Sequence, residues 1–507
     1  MKLLVRSVNI DSRDPLVVLN HDDCLTMGVD VDDKVKIVGR RSVVLSLLIT
    51  DEPAAKGVVS VPSGLMRRFG LTNGEMAEVE YSPPPESIIS IKKKINGQRL
   101  NADELGSIVS DINSGMLTEK EILAFVSAFN VRNADIKEMA DLTRAMAATG
   151  KEVDFGVKEV FDFHSLGGVP GNKITPIVVS IVASKGIVIP KLSSRAISSA
   201  CGTSDFVETF CDVEMDSERL KSIISKTSGV FACGNTEYAP VGGEIIRAEK
   251  PMGIDPRPMM LSSILSKKVA LGVKDILTDI PMGKGSKITN MRDAEEYAKD
   301  LIALGKELGM HVECVVSSAE QPIGMAIGPI LEARECIMAM ENGSGDATLI
   351  DKACSMAGIL LEMAGSKDGI AEARMILESG LAHSKFKEIV NAQGGDPGLT
   401  SNDLKPGAYV KDVHAKRDGF VQYIDNQCIV AIAKATGAPF DKGAGIEFLH
   451  KKGDAVKKGE VLFRIYAENQ AKLDRAIESA RSRRPMFVSL NKEGLEKQPA
   501  ILRRISQ

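Results

Sequence analysis

Ile177 to Glu208 reads IVVSIVASKGIVIPKLSSRAISSACGTSDFVE. Two apolar, β-branched runs, IVVSIVA and GIVIP, have the composition of strands buried on both faces. A loop dense in hydroxyls follows them. Moving outward, such runs alternate with helical stretches like DAEEYAKDLIALGKELG between about 155 and 405. That alternation predicts a large α/β domain with a central sheet.

The flanks read differently. Residues 1 to 82 break into short Val- and Ile-rich runs, LLVRSVNI, PLVVLN, KVKIVG, VVLSLLIT, GVVSVP and MAEVEY, separated by turns; they predict a small β-rich barrel. Pro83, Pro84 and Pro85 cannot donate to a sheet ladder and mark a linker. Beyond them Leu105, Ile108, Val109 and Ile112 share one helical face, Asn101 with Glu104 and Thr118 with Glu121 read as capping boxes, and a further helix stops at Gly150. After Pro406 short strands return, AYVKDV, GFVQYI and EVLFRIYA, with a helix at CIVAIAKATG. The fold class is therefore multidomain α/β: a small N-terminal β-rich barrel over 1–85, a helical domain over 86–155, a large α/β domain with a central sheet over 156–405, and a C-terminal α+β domain over 406–507.

Composition narrows the function classes. Apolar residues form 44% of the 507 and charged residues 26%, as in a globular chain with sizeable cores. A net charge of −4 argues against a globally basic nucleic-acid binder but leaves room for a local anion pocket. Eight cysteines are scattered without a CxxC pair, which signals neither a zinc site nor a disulfide framework and suits a reducing cytoplasm. The N-terminus lacks the apolar core and cleavage site of a signal peptide, and no uncharged stretch reaches the roughly 20 residues that span a bilayer. The expectation is a cytoplasmic protein without membrane or nucleic-acid partners.

Four segments carry chemistry. In DFHSLGGVPGNKIT, Gly167, Gly168 and Gly171 allow close approach of backbone amides to an anion, and Ser165 and Thr175 add hydroxyls; a tight structural turn explains the same residues. Lys173 precedes Ile174, so this is no Walker A loop. The second segment surrounds Arg195 with Ser193, Ser194, Ser198, Ser199, Thr203 and Ser204, donors enough for a phosphate dianion, although a Ser-rich surface loop has the same composition. In the third, MGIDPRPMMLSSILSKK, Asp255 could deliver a proton to a leaving group if desolvation raised its pKa, while spacing alone favours a helix cap. The fourth, PMGKGSKI, holds Lys284 and Lys287 among glycines, where a solvated turn is the ordinary reading. His311-x-Glu313 lacks the PCxxC of a zinc deaminase and reads as a plain strand, and Ser165 lacks the GxSxG elbow of a hydrolase.

Ser193 to Glu208 resembles the phosphate-site signature of the thymidine and pyrimidine nucleoside phosphorylase family, at Ser193, Ser194, Arg195, Ala196, Ile197, Ala200, Gly202, Thr203, Asp205, Val207 and Glu208, with Cys201 as the departure. DFHSLGGVPG is similar to the family's His-Ser-Thr-Gly-Gly loop, LSSILSKK to its Ser-Lys-Lys helix and EQPIGMAIGP to its Gln-Pro-Leu-Gly segment. Three features depart from the ordinary enzymes and resemble the archaeal branch that cleaves nucleoside 5′-monophosphates: Phe163 before the loop histidine, Lys287 in the substrate loop, and the added N-terminal barrel.

The resemblance implies phosphorolysis of AMP, and also of CMP and UMP, to free base and ribose 1,5-bisphosphate, in AMP breakdown that feeds an archaeal Rubisco. Asp255 would be the proton donor, with His164 as the alternative acid. Gly168, Ser194, Arg195, Ala196, Ile197, Ser198, Ser199, Thr203, Ser263 and Lys287 would hold substrate, with Ser165, Ser193 and Lys267 as further candidates. Orthophosphate is the co-substrate, no cofactor or metal is expected, and self-association into a homodimer or larger homo-oligomer is implied. The rival readings are a thymidine or pyrimidine nucleoside phosphorylase releasing (deoxy)ribose 1-phosphate, a phosphoribosyltransferase that needs Mg²⁺, and a non-enzymatic nucleotide sensor.

Overall fold

In a computed structural model, the described residues are 1–507 apart from 11–15, 32, 39–41, 53–54, 132–133, 197–198, 235–236, 250, 255, 344, 493, 497 and 507. The chain divides into two compact units, Met1–Lys151 with Tyr238–Ser266, and Glu152–Glu237 with Lys267–Gln507.

The first unit begins with a closed six-stranded barrel, in the order Lys2–Val8, Val58–Pro62, Leu16–Asn20, Ser42–Thr50, Lys34–Val38, Met76–Ser82. Period-two alternation fills it: Leu3, Val5, Val17, Leu19, Val35, Ile37, Val59, Val61, Ala77 and Val79 are buried. Two short helices, His21–Met27 and Ser63–Phe69, escape the sequence reading; each ends on a glycine in the left-handed region, Gly28 and Gly70. Four helices follow, Ser87–Ile95, Ala102–Asn113, Glu119–Val131 and Ile136–Ala148. Both capping boxes form, Asn101 with Glu104 and Thr118 with Glu121. Val241, Ile245 and Met259, from a segment that lies between strands of the other unit in sequence, join Leu105, Ile108, Val109 and Ile112 in this helical core.

The second unit is built on a four-stranded sheet ordered Ile501–Ile505, His311–Ser318, Asp275–Met282, Phe161–Ser165. The last three are mutually parallel and the C-terminal strand is antiparallel. Ile189–Ser193 pairs in parallel with Gly229–Cys233 as a separate two-stranded sheet. GIVIP thus enters a strand, but IVVSIVA does not: it is the helix Thr175–Ser184, buried from Thr175 to Ala183. An apolar run buried all round looks the same in either conformation; Pro176 in the first turn and Lys185-Gly186 at the stop are the helical signals that decide it.

Strands of the C-terminal part form two further sheets, one of Ala326–Ile327, Gly445–Phe448, Val461–Ala467 and Tyr409–His414, the other of Ala455–Val456, Gly419–Ile424 and Met486–Ser489, with helices Asn426–Ala435 and Gln470–Arg483. Among the described residues no helix is long and apolar enough to cross a membrane, and no group of His, Cys, Asp and Glu could hold a metal ion. All eight cysteines are free thiols.

Candidate active site

In the second unit, chain polarity gathers the chemistry at the carboxyl ends of parallel strands, where doubly wound folds place their ligands. Phe161–Ser165 runs beside Asp275–Met282 in a register that sets Ser165 opposite Asp279 and His164 opposite Thr278. The loop after Ser165 carries the glycines. Gly168 has φ +91°, and a Cβ there would lie 2.9 Å from the Lys287 amide nitrogen and 3.2 Å from its Cγ. Glycine is therefore required sterically as well as conformationally, because Lys287 packs directly on this backbone. Sequence positions 168 and 287, far apart in the chain, meet here.

Ser165 is held from beneath. Its hydroxyl donates to Asp279 (2.8 Å) and accepts from Asn172 Nδ2 (3.2 Å) and the Gly167 amide (3.3 Å). Asp279, fully buried, is neutralised by Lys352 at 2.8 Å, and Ser317 bridges the pair by donating to Asp279 while accepting from Lys352. A hydroxyl whose single proton is committed to Asp279 shapes the glycine loop through its acceptor side. Lys173, which could be mistaken for a nucleotide-loop lysine, is buried on Glu335 and the Ile323 carbonyl.

The serine-rich loop leaves the Ile189–Ser193 strand. Ser193 Oγ is buried with no hydrogen-bond partner among the described residues, as is Ser204 Oγ. A buried hydroxyl without a partner is costly unless something else fills it. Asp205 staples the loop shut by accepting from the Ala196 amide (2.7 Å) and the Gly202 amide (2.9 Å). Gly202 fits against the backbone of Ser194 to Ala196, where any Cβ would clash. Thr203 then opens the short helix Thr203–Val207, and Ser199 donates to the Cys201 carbonyl. The Arg195 guanidinium, half exposed, pairs with Glu208 and Glu214. Ile197 and Ser198 lie outside the described residues, as does Asp255, the proposed proton donor.

Of the four lysines that act on His164, the sequence reading singled out Lys287 and Lys267 and missed Lys191. Lys191 and Lys268, both buried, share one carboxylate, Asp162: Lys268 bonds Oδ2 directly, and Lys191 stands 3.9 Å from Oδ1 and 4.9 Å over the Phe163 ring. Burial, with Lys268 and Lys267 nearby, pulls Lys191 down to about 7 against the pull of Asp162; burial and Lys268 pull Lys267 to about 8. His164 is driven well below the ordinary imidazole value by burial and then by Lys268, Lys191, Lys267 and Lys287. Both burial and the four lysines disfavour the charged imidazole at this position. The signal for these residues was present: a charge inside an apolar run, as in IVIPKLS, VFDFHS and ILTDIP, is rarely buried without a partner. Ser263 lies on the helix Arg257–Ala270 in the first unit, its Oγ 3.3 Å from where a Cβ on Gly242 would sit; Lys267, further along that helix, belongs to the second.

Comparisons with known proteins bear on this geometry. Three families match along the chain: the glycosyl transferase family helical bundle domain over residues 90–150, its a/b domain over 157–383, and the pyrimidine nucleoside phosphorylase C-terminal domain over 420–486. AMP phosphorylase from Thermococcus kodakarensis is 43% identical over 492 residues, covering 96% of this chain and 98% of its own. AMP phosphorylase 1 from Archaeoglobus fulgidus is 42% identical over 93% of this chain and 94% of its own, and the Methanosarcina mazei AMP phosphorylase 39% identical over 96% and 97%. The chain belongs to the AMP phosphorylase family. Anthranilate phosphoribosyltransferase from Thermus thermophilus shares the fold alone, at 18% identity and a TM-score of 0.51 over 60% of this chain and 99% of its own. Since the matches to the AMP phosphorylase family run through the N-terminal barrel, that barrel is part of what the relatives have in common with this chain.

Proposed function

We infer that the chain is a pentosyltransferase that cleaves AMP with orthophosphate, giving adenine and ribose 1,5-bisphosphate. The observation that carries the reading is identity of 39–43% to AMP phosphorylases over nearly the whole of both chains. The packing of Lys287 on Gly168 supports it from the side of the site, because a lysine beside the glycine loop suits a second phosphate, the 5′-phosphate, that a plain nucleoside lacks. Acceptance of CMP and UMP, supply of an archaeal Rubisco route, cytoplasmic location and assembly into a homodimer or larger homo-oligomer belong to the same proposal.

In the proposed reaction an orthophosphate oxygen bonds to C1′ as the bond from C1′ to the base nitrogen breaks, and Asp255 gives its proton to the departing base. Ser193, Thr203 and the loop at Gly168 would hold orthophosphate below the ring, and Ser194 to Ser199, Ser263 and Lys287 the nucleotide. Positive charge from the lysines around His164 would stabilise the dianion and leave no need for a metal. Lys287→Ala should lower kcat/KM for AMP about 10–100-fold, the weight of one charge-assisted phosphate contact, while leaving adenosine or uridine cleavage nearly unchanged. The assay identifies the sugar product. Ribose 1-phosphate from nucleosides as the better reaction would hand the case to the pyrimidine nucleoside phosphorylase alternative, and loss of activity in EDTA to a phosphoribosyltransferase.

A further inference from the structure

Lys191 stands out because its surroundings are short of negative charge. It is 4% exposed on the last turns of the Ile189–Ser193 strand, two residues before Ser193, so period two puts both side chains on one face. Its nitrogen donates to the Leu192 carbonyl at 3.0 Å, and its nearest carboxylate, Asp162, already bonds Lys268. One carboxylate therefore faces two buried ammonium groups, with Lys267 close by. Among the described residues of the other elements against the strand no buried carboxylate is added: Thr175–Ser184 has no titratable residue, Ser217–Thr227 buries Ser217, Leu220, Ile223, Ile224 and Thr227 while its Glu218, Arg219, Lys221 and Lys226 are not buried, and Gly229–Cys233 sets Phe231 opposite Lys191 and ends in Cys233. His164, on the same strand as Asp162, is pushed toward its uncharged form by burial and by the same lysines.

We propose that Lys191 is the charge anchor for the attacking orthophosphate, and that it takes up a proton when the anion binds. This rests on the phosphorolytic reading and assigns a binding residue beyond it. An excess of buried positive charge is unfavourable without an anion, so part of it is shed as a proton; a dianion beside the Ser193 hydroxyl, which has no hydrogen-bond partner among the described residues, reverses the balance. The proton comes from solvent and stays on Lys191 until the phosphate charge leaves as sugar phosphate.

Sulfate isolates the effect because it stays a dianion across the neutral range, whereas orthophosphate titrates itself. Isothermal titration of the full-length chain with sulfate at pH 7.5, in two buffers of different ionisation enthalpy, counts the protons. The wild type should take up on the order of one proton per sulfate. Lys191→Met should lose more than half of that uptake and bind sulfate about 10-fold more weakly. Lys191→Arg, charged at all these pH values, should bind sulfate with most of the uptake gone, and it decides the matter if the methionine variant does not fold. Full uptake in either variant overturns the proposal. Failure of sulfate and orthophosphate to bind the wild type overturns both this and the phosphorolytic reading. Lys191-dependent uptake in a protein that does not cleave AMP would sink that reading and leave the anchor standing.

Discussion

Glu332 is 3% exposed and accepts a hydrogen bond from the Gly328 amide at 3.1 Å. Burial lifts its carboxyl from 4.5 to about 7, against the opposing pull of Lys173. Between those two values the folded chain keeps a proton that the unfolded chain has released, so stability falls as pH rises through that interval and stays lowered above it. The shift corresponds to about 3 kcal/mol. Glu332→Gln keeps the shape and removes the charge; it should stabilise the protein by up to about that amount at pH 8 and by little near pH 4.5. Urea unfolding at the two pH values is the measurement, and an equal effect at both would show that the carboxyl is not held protonated. At the same scale, the sequence made Gly168, Ser193 and Lys287 legible through their motifs. Lys191, Asp162 and Asp279 were not, because a charge in an apolar run does not say which partner it will find.

Among the elements, the loop from Ser194 to Gly202 has no helix or strand among its described residues and is tied to Asp205. Two backbone amides on opposite ends of the loop share that one carboxylate. Asp205→Ala leaves both without an acceptor, at a cost of about 1–3 kcal/mol each. The expected result is a KM for orthophosphate raised about 10-fold or more with a smaller change in kcat, measured alongside the thermal midpoint. An unchanged KM in a folded variant would mean that the loop does not shape the phosphate site. The helix Thr175–Ser184 gives the complementary lesson. Its IVVSIVA core carries strand-like residues, yet the helices Ala347–Met363 and Leu381–Ala392 pack on it and bury it on all sides. Tertiary packing overrides β-branched propensity when every face is covered.

At the scale of the whole molecule, the chain closes its second unit with its last residues. Ile501–Ile505 adds to the edge of His311–Ser318, and Arg504 bonds Glu313 at 2.6 Å and pairs with Glu362. Deletion of residues 501–507 exposes a strand edge next to the strands that carry the site, removes about five residues of ladder and leaves Glu313 without its arginine. The shortened chain should unfold about 2–5 kcal/mol earlier in denaturant and aggregate more readily, which light scattering at equal concentration detects. Retention of full stability would mean that the edge is covered in some other way.

By itself the sequence determined the succession of a β barrel, helices, an α/β region and a final mixed α and β region, because hydrophobic period and turn residues are local properties. It also singled out the glycine-rich and hydroxyl-rich segments of the candidate site, since those residues stand together in their own short stretches. The tertiary structure alone decided three things: that Lys287 lies on Gly168, that Lys191 and Lys268 compete for Asp162, and that Ile501–Ile505 completes a sheet begun at Phe161. Each joins residues distant in the chain. Burial and charge compensation are sums over such neighbours, which sequence spacing does not contain.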